Sequence, residues 1–349
     1  HLPGEQLPDA AAMVNPNLKG DAFPSKNLAG VGVAFYVMLA LRVRLREQDW
    51  FAQQEKPEPK LAQLLDLVAL VTVADVVPLD RNNRILVQQG IQRIRAGHCV
   101  PGIRALLEAA GRKPDRIVAT DLGFVVGPRL NAAGRMDDMS IGIECLLTDD
   151  EDRARELAQR LDELNRDRRE VETDMQTQAL AAIKNMNLDE KNLPTGLCLF
   201  EPDWHQGVIG ILASKIKDKL HRPVIAFAKD KDGFIKGSAR SISCVHIRDV
   251  LDTVAGQNRG LIDKLCGQAM AAGMTIKELD YETFKQAFDQ ELRRFIVEED
   301  LNGSLLSDGE LSETEITFGL ANDIQKAGPW GQGFPEPQFD GEFELVESR

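Results

Sequence analysis

Apolar residues recur at Ala154, Leu157, Leu161, Leu164, Val171, Met175, Ala182 and Met186, in a stretch from Thr148 to about Asn187 that contains no Gly or Pro. An apolar position every three to four residues marks one face of a helix, so the pattern predicts a single continuous helix. Thr148 with Glu151 three positions later fits a capping box at its start. Its middle, Asn165-Arg-Asp-Arg-Arg-Glu170, is entirely polar, which predicts buried ends and a wet centre. At about 1.5 Å per residue such a helix spans roughly 55–60 Å, more than one small domain, and is expected to join two domains across a cleft.

The pattern differs on the two sides of this helix. Before it, Leu28-Ala-Gly-Val-Gly-Val-Ala-Phe35 opens an apolar helix, and the run Leu67-Val-Ala-Leu-Val-Thr-Val-Ala74 is apolar without alternation. The second run predicts a buried parallel strand that delivers Asp75 to its carboxyl edge, ahead of Val-Val-Pro-Leu79. Ligands bind at that edge in open α/β sheets, and a carboxylate there suits a hard metal ion; an Asp that merely caps the next turn is the alternative. After the long helix, Gly196-Leu-Cys-Leu-Phe200 and Pro223-Val-Ile-Ala-Phe-Ala228 read as short buried strands around a helix from Val208 to Leu220, a small α/β domain. In the tail, the Gly and Pro density of Gly328-Pro-Trp-Gly-Gln-Gly-Phe-Pro-Glu-Pro337 forbids regular structure.

Composition narrows the class. With 349 residues, 43% hydrophobic and 28% charged, the chain suits a soluble, intracellular protein of two or three domains. Its longest apolar run, Val31–Leu41, is closed by Arg42, Arg44 and Arg46 well short of a membrane span, so no membrane is expected. Five scattered cysteines without a CxxC pair argue against a disulfide framework or structural zinc. A net charge of −13 excludes a generally basic nucleic-acid binder but says nothing about local patches. The chain starts at His1 and stops in Phe343-Glu-Leu-Val-Glu-Ser-Arg349, inside what reads as a strand, and is expected to be part of a longer protein.

Four stretches carry candidate chemistry. Arg129, Asn131 and Arg135 offer donors suited to phosphate or carboxylate, or else a solvated salt-bridged loop. Trp204-His-Gln-Gly207 places His205 and backbone amides at a helix N-terminus, an anion site, although a packed surface His is the commoner outcome. Phe234-Ile-Lys-Gly-Ser-Ala-Arg-Ser241 offers Lys236, Ser238, Arg240 and Ser241 to a nucleic-acid backbone. Cys266-Gly-Gln-Ala-Met-Ala-Ala-Gly273 is a small-residue turn, and Trp330, Phe334 and Phe339 are aromatics for base stacking or for packing.

His1-Leu-Pro-Gly-Glu5, Val73-Ala-Asp-Val-Val-Pro-Leu79 and Gly127-Pro-Arg-Leu-Asn-Ala-Ala-Gly-Arg135, in this order, resemble the DHH phosphoesterases and, within them, the RecJ single-strand exonucleases. His205-Gln-Gly207 and Gly237-Ser-Ala-Arg-Ser241 resemble the same family's DHHA1 domain, whereas Cys266-Gly267-Gln268 departs from its Gly-Gly-His. Ser307-Asp-Gly-Glu-Leu311 and residues 328–337 resemble the start of its oligonucleotide-binding (OB) domain. The resemblance implies an α/β chain: the C-terminal part of a DHH parallel-sheet domain (1–147), a connecting helix (148–190), a DHHA1 domain (191–300) and the beginning of an OB-like β-barrel (301–349). It further implies metal-dependent removal of nucleotides from the 5′ end of single-stranded DNA, with Mn2+ or Mg2+ on Asp75, and His1 against the scissile phosphate. Arg129, Asn131, Arg135, His205, Ser238, Arg240 and Gln268 would hold the strand. The family's earlier aspartates and the Asp-His before His1 are absent, so the metal site is expected to be incomplete in this chain. A cytoplasmic monomer is implied, with single-strand-binding protein as a candidate partner. The rival readings are a DHH phosphodiesterase for short oligonucleotides or cyclic dinucleotides, and a non-catalytic single-strand-binding scaffold.

Overall fold

The computed structural model describes residues 7–185, 194–303, 305–344 and 346–347. The chain divides into two compact units, residues 1–165 with 306–349, and residues 166–305.

The first unit is helical. Its main helices are α1 (Gly30–Glu47), α2 (Leu65–Ala74), α3 (Arg81–Arg95), α4 (Pro101–Ala109), α5 (Gly127–Met136) and α6 (Ser140–Leu147). The start of α7 (Glu151–Asn185) completes this bundle. Leu67–Ala74 is therefore not the parallel strand its sequence suggested but the helix α2, with Val68, Ala69 and Leu70 almost fully buried. Periodicity cannot separate a helix buried on all sides from a buried strand, because both leave an unbroken apolar run. No strand forms among residues 7–165, so the α/β character of the chain resides in the second unit.

Helices α2 and α3 approach closely at Gly90, where an added Cβ would sit 2.2 Å from the Leu65 carbonyl oxygen and 2.3 Å from the Ala69 Cβ. The core then runs through Val87, Ile91, Ile94, Ile103, Leu106 and Leu122 to Ala154, Leu157 and Leu161 on α7. The tail belongs to this unit: Leu79 N–H donates to the Gln332 carbonyl (2.7 Å), and the Arg84 guanidinium lies 3.9 Å from the centre of the Phe334 ring. A helix in the tail, Phe318–Ala327 (α11 in chain order), precedes the cis Gly328–Pro329 bond. The expected beginning of a β-barrel shows only isolated bridges, Glu310 with Asp340 and Gly331 with Phe334.

The long helix is one continuous element, but Thr148 does not cap it. Asp150 does, its Oδ1 accepting the Asp152 and Arg153 amides at 2.8 and 3.0 Å, while Thr148 Oγ1 accepts the Asp150 amide. The predicted wet centre is also corrected. Asn165, Arg168 and Glu172 are buried and carry the stripe from Leu164 on to Met175, Ala179 and Ile183. Arg168 donates to Glu172 at 2.7 Å and Lys215 pairs with the other Glu172 oxygen, so one face of the polar stretch is buried as a charge network while Arg166, Asp167, Arg169 and Glu170 stay exposed.

The second unit is a five-stranded sheet, order β1-β2-β3-β5-β4, built from Leu197–Phe200, Val224–Lys229, Phe234–Arg240, Lys264–Gly267 (β4) and Ala271–Lys277 (β5). Only β1 and β2 run parallel; the other pairs are antiparallel. Helix α8 (Ile209–Leu220) packs on β2 and β3, while α9 (Ile247–Gln257) and α10 (Tyr281–Leu292) build the other core with Phe227, Ile235, Ala239, Phe284 and Phe288.

Candidate nucleic-acid and phosphoester site residues

Asp75 ends α2, and its exposed carboxylate has no hydrogen-bond or ion-pair partner among the described residues. The capping role considered for it falls to Asp80, which accepts the Asn83 amide at 2.9 Å to start α3. Val76 follows with φ +54° and 63% exposure. A β-branched residue in the left-handed region is a true outlier, and such strain persists where the surroundings enforce it. Here the enforcement comes from buried Asn83, whose Nδ2 donates to the Pro78 and Asn27 carbonyls, and from the Leu79–Gln332 backbone bond. The turn therefore presents a rigidly held, unused carboxylate.

Helix α5 leaves from beside that turn: a Cβ on Gly127 would sit 3.2 Å from the Ala74 Cβ. The three donors expected to converge are on this helix and do not converge. Asn131 and Arg135, four apart, share one exposed face, while Arg129 points the other way and is buried. Its Nε and Nη2 bind the Asp162 carboxylate at 2.9 and 2.7 Å, and Nη1 donates to the Val125 carbonyl at 2.8 Å. Val125 lies in the π-helical turn Leu122–Val126, so Arg129 satisfies a carbonyl that the wide turn exposes. Arg129 thus acts as an internal brace in this structure.

In the second unit the sheet and the start of α8 bring the remaining candidates together. Lys236, Ser238 and Arg240 occupy alternate positions of β3 and so share a face, opposite buried Ile235 and Ala239. Gly210 on α8 permits the helix to lie there, since a Cβ would meet Arg240 Nη2 at 2.9 Å and Ser238 Oγ at 3.0 Å. Arg240 Nη1 donates to Ser238 Oγ (3.1 Å) and the Ala239 carbonyl (2.8 Å), which fixes the guanidinium against the strand. Gln206 ties the preceding turn to the same strands: its Nε2 donates to the Lys229 carbonyl, and its Oε1 accepts from Lys236 Nζ at 3.3 Å. That ammonium also holds the Asp230 carboxyl below the usual carboxylate range. His205 is exposed, and its Nδ1 accepts the Gly207 amide at 3.1 Å, which in the neutral ring puts the proton on Nε2 as a donor.

Gln268 is exposed in the β4–β5 turn, its backbone N–H donating to the Ala271 carbonyl at 2.8 Å. Ala271 is the register partner of Arg240, and the Ser241 amide donates to the Met270 carbonyl at 3.0 Å. The stretches 237–241 and 266–268 thus meet at one end of the sheet. Gly267 is required there, because a Cβ would fall 2.5 Å from that of Ala272. Cys266 contacts the Gly273 carbonyl through Sγ, and no histidine pairs with it among the described residues. Trp330 stacks on Phe334, ring centres 4.8 Å apart, and donates Nε1–H to the Ile324 carbonyl, so it packs within the first unit. His1, expected at the scissile phosphate, lies outside the described residues.

Among the described residues no group of three or more His, Cys, Asp or Glu is placed to hold a metal ion. Asp75 supplies one carboxylate, whereas a hard divalent cation takes about six oxygen ligands. These residues do not by themselves fit a divalent metal, and no helix among them is long and apolar enough to cross a membrane.

Comparison with known proteins gives consistent results. The DHHA1 domain family matches residues 193–294, and the RecJ OB domain family matches residues 307–349. Along its whole length the chain is 56% identical to the single-stranded-DNA-specific exonuclease RecJ of Dickeya dadantii and 54% identical to that of Escherichia coli. It spans 61% and 60% of those proteins. Among solved structures, RecJ of Thermus thermophilus in complex with Mn2+ is 31% identical with a TM-score of 0.81, over 97% of this chain and 47% of that one. An exonuclease RecJ bound to manganese is 32% identical with a TM-score of 0.65, over 85% of this chain and 68% of that one.

Proposed function

The chain belongs to the RecJ exonuclease family, and from that premise we propose that it is the central part of a single-stranded-DNA-specific exonuclease that releases nucleotides from the 5′ end. The observation that carries the proposal is the 56% identity along every part of the chain to a relative bearing that name. The exposed Asp75 carboxylate, on a turn whose next residue Val76 is held at φ +54°, is consistent with it.

In this reading Asp75 would contribute one oxygen ligand to Mn2+ or Mg2+. The metal supplies a polarised water and charge stabilisation when bound. What this chain's own residues do is hold the strand. Asn131 and Arg135 offer donors from the exposed face of α5. Ser238 and Arg240, already oriented by their mutual hydrogen bond, contact the phosphodiester backbone, and His205 donates from Nε2. Gln268 extends that set with a neutral amide where the family pattern has histidine. The proposal includes the domain limits 1–147, 148–190, 191–300 and 301–349, and a cytoplasmic monomer that meets its strand alone or with single-strand-binding protein.

The test is nucleotide release from 5′-labelled single strands and duplexes by the complete protein that contains this chain, with MnCl2. Single strands are expected to be degraded and blunt duplexes spared. Asp75→Asn keeps the shape and removes the charge, so it should lower turnover at least 100-fold, on the order of 3 kcal/mol, with single-strand affinity nearly unchanged. Equal digestion of blunt duplexes, or normal turnover by the variant, would overturn the reading.

A further inference from the structure

The first unit contains a cavity of about 620 Å3 that none of the residues above explains. One wall is α3 with the segment 116–120, and the other is α11 with the loop through Trp330. A second hollow of about 290 Å3 shares Gln88, Gly328 and Pro329 with it and continues toward the start of α3. The two form one groove along the helix. Arg81, Arg84, Gln88, Ile91 and Arg95 line it, and their spacing of three, four, three and four residues places them on a single helical face. Arg116 and Lys326 face the same space, and Glu336 is the one carboxylate among the lining residues.

A run of cations in a chain of net charge −13 ordinarily finds carboxylates. Among the described residues, Arg81, Arg84, Arg95 and Lys326 have no carboxylate within ion-pair distance, and the Arg116 contact is with its own neighbour Asp115 at 3.9 Å. Arg95 is nonetheless held in place by its Nε–H bond to the Ile117 carbonyl (2.8 Å), and Arg84 lies against Phe334, on which Trp330 stacks. The groove thus offers positive charge at both ends of about 21 Å of helix, at about 1.5 Å per residue, with Arg84 and Arg95 held in place. Repeating negative charge is the chemistry of a nucleic-acid backbone.

We propose that this groove is a second contact track for single-stranded DNA, one that binds phosphates along Arg81, Arg84 and Arg95 and lies apart from Asp75 and from the β3 site. The proposal rests on the single-strand reading of the function, and it adds where a further part of the strand runs. The track lets strand distal to the end being cut remain attached between turnovers.

The test is the salt dependence of binding of a fluorescein-labelled oligothymidylate to the chain, read by anisotropy. Each phosphate contact on a single strand contributes a slope of about 0.7 in log K against log salt, so Arg81→Gln with Arg95→Gln should lower it by about 1.4. Glu336→Gln removes the single opposing charge and should move affinity the other way, tightening binding several-fold. These paired changes, with unaltered thermal melting, support the track. If the wild type binds and neither variant changes its slope or affinity, the track is wrong while the single-strand reading stands. If the wild type does not bind, both fall. If oligoglutamate binds with the same dependence on these residues and oligothymidylate does not depend on them, the groove is an acidic-peptide site and the proposal is overturned.

Discussion

At the scale of single residues, Gln268 is the clearest departure from the family pattern. It sits exposed at the sheet end where Arg240 also ends, and in the proposed reading the two side chains share one phosphate. A glutamine amide gives neutral donors, whereas an imidazolium gives charge-assisted ones roughly twice as strong. Gln268→His should tighten binding of a 5′-phosphorylated single strand by about 1 kcal/mol at pH 6 and by little at pH 8, where the added imidazole is neutral. Coinciding isotherms for variant and wild type at both pH values would remove residue 268 from the site. A second residue-scale effect concerns stability. Cys145 is fully buried, and burial pushes its thiol up to about 11. Because the folded value is raised, native stability is intact below the unfolded thiol's range near pH 8.5 and is lost as pH climbs from there toward 11. The loss should reach at most about 1.4 kcal/mol per pH unit. In urea unfolding at pH 8 and pH 10, wild type should show this decline, and Cys145→Ala should show a shallower one. Equal slopes would exclude the thiol as its source.

At the scale of elements, legibility followed how local the deciding interaction is. The long helix, the helix of residues 209–220 and the strands around it were readable, because period and breakers lie within each segment. Helix α2 was misread because apolar side chains on every face erase the period that tells helix from strand. Helices α3 and α11 were missed although Asp80 and Thr317 stand before them as N-caps, each accepting an amide three residues on. Candidate site residues were legible as residue types but not as directions. Nothing local shows that Arg129 turns inward, since its partner Asp162 is 33 positions away. The consequence is testable by unfolding. Arg129 and Asp162 are 10% and 8% exposed at their side chains, so Arg129→Ala strips the buried Asp162 carboxylate of its two guanidinium bonds and should cost about 3 kcal/mol. Arg129→Met with Asp162→Leu removes both charges and should recover most of that loss. A single variant as stable as wild type in urea would show that the brace carries nothing.

At the scale of the whole molecule, each unit has a core of its own among the described residues: one runs from Ala69 to Leu164 with the tail packed on it, the other from Cys198 to Ile296. Helix α7 contributes Ala154, Leu157 and Leu161 to the first, and the division between units falls between Asn165 and Arg166, inside it. Within the second unit, α7 buries Arg168 and Glu172, with Lys215 paired to the Glu172 carboxylate. Chains with distinct cores depart from two-state unfolding. Two calorimetric transitions are therefore expected, and substitutions should sort between them. Leu106→Ala, in the first core, should lower one transition by an amount equivalent to about 2–5 kcal/mol, and Phe288→Ala, in the second, should lower the other by about 3–5 kcal/mol. Each should leave the untouched transition within about 0.5 kcal/mol, since distant sites without shared partners act additively. A single transition that moves as a whole under either substitution would mean that the continuous α7 couples the cores into one cooperative unit.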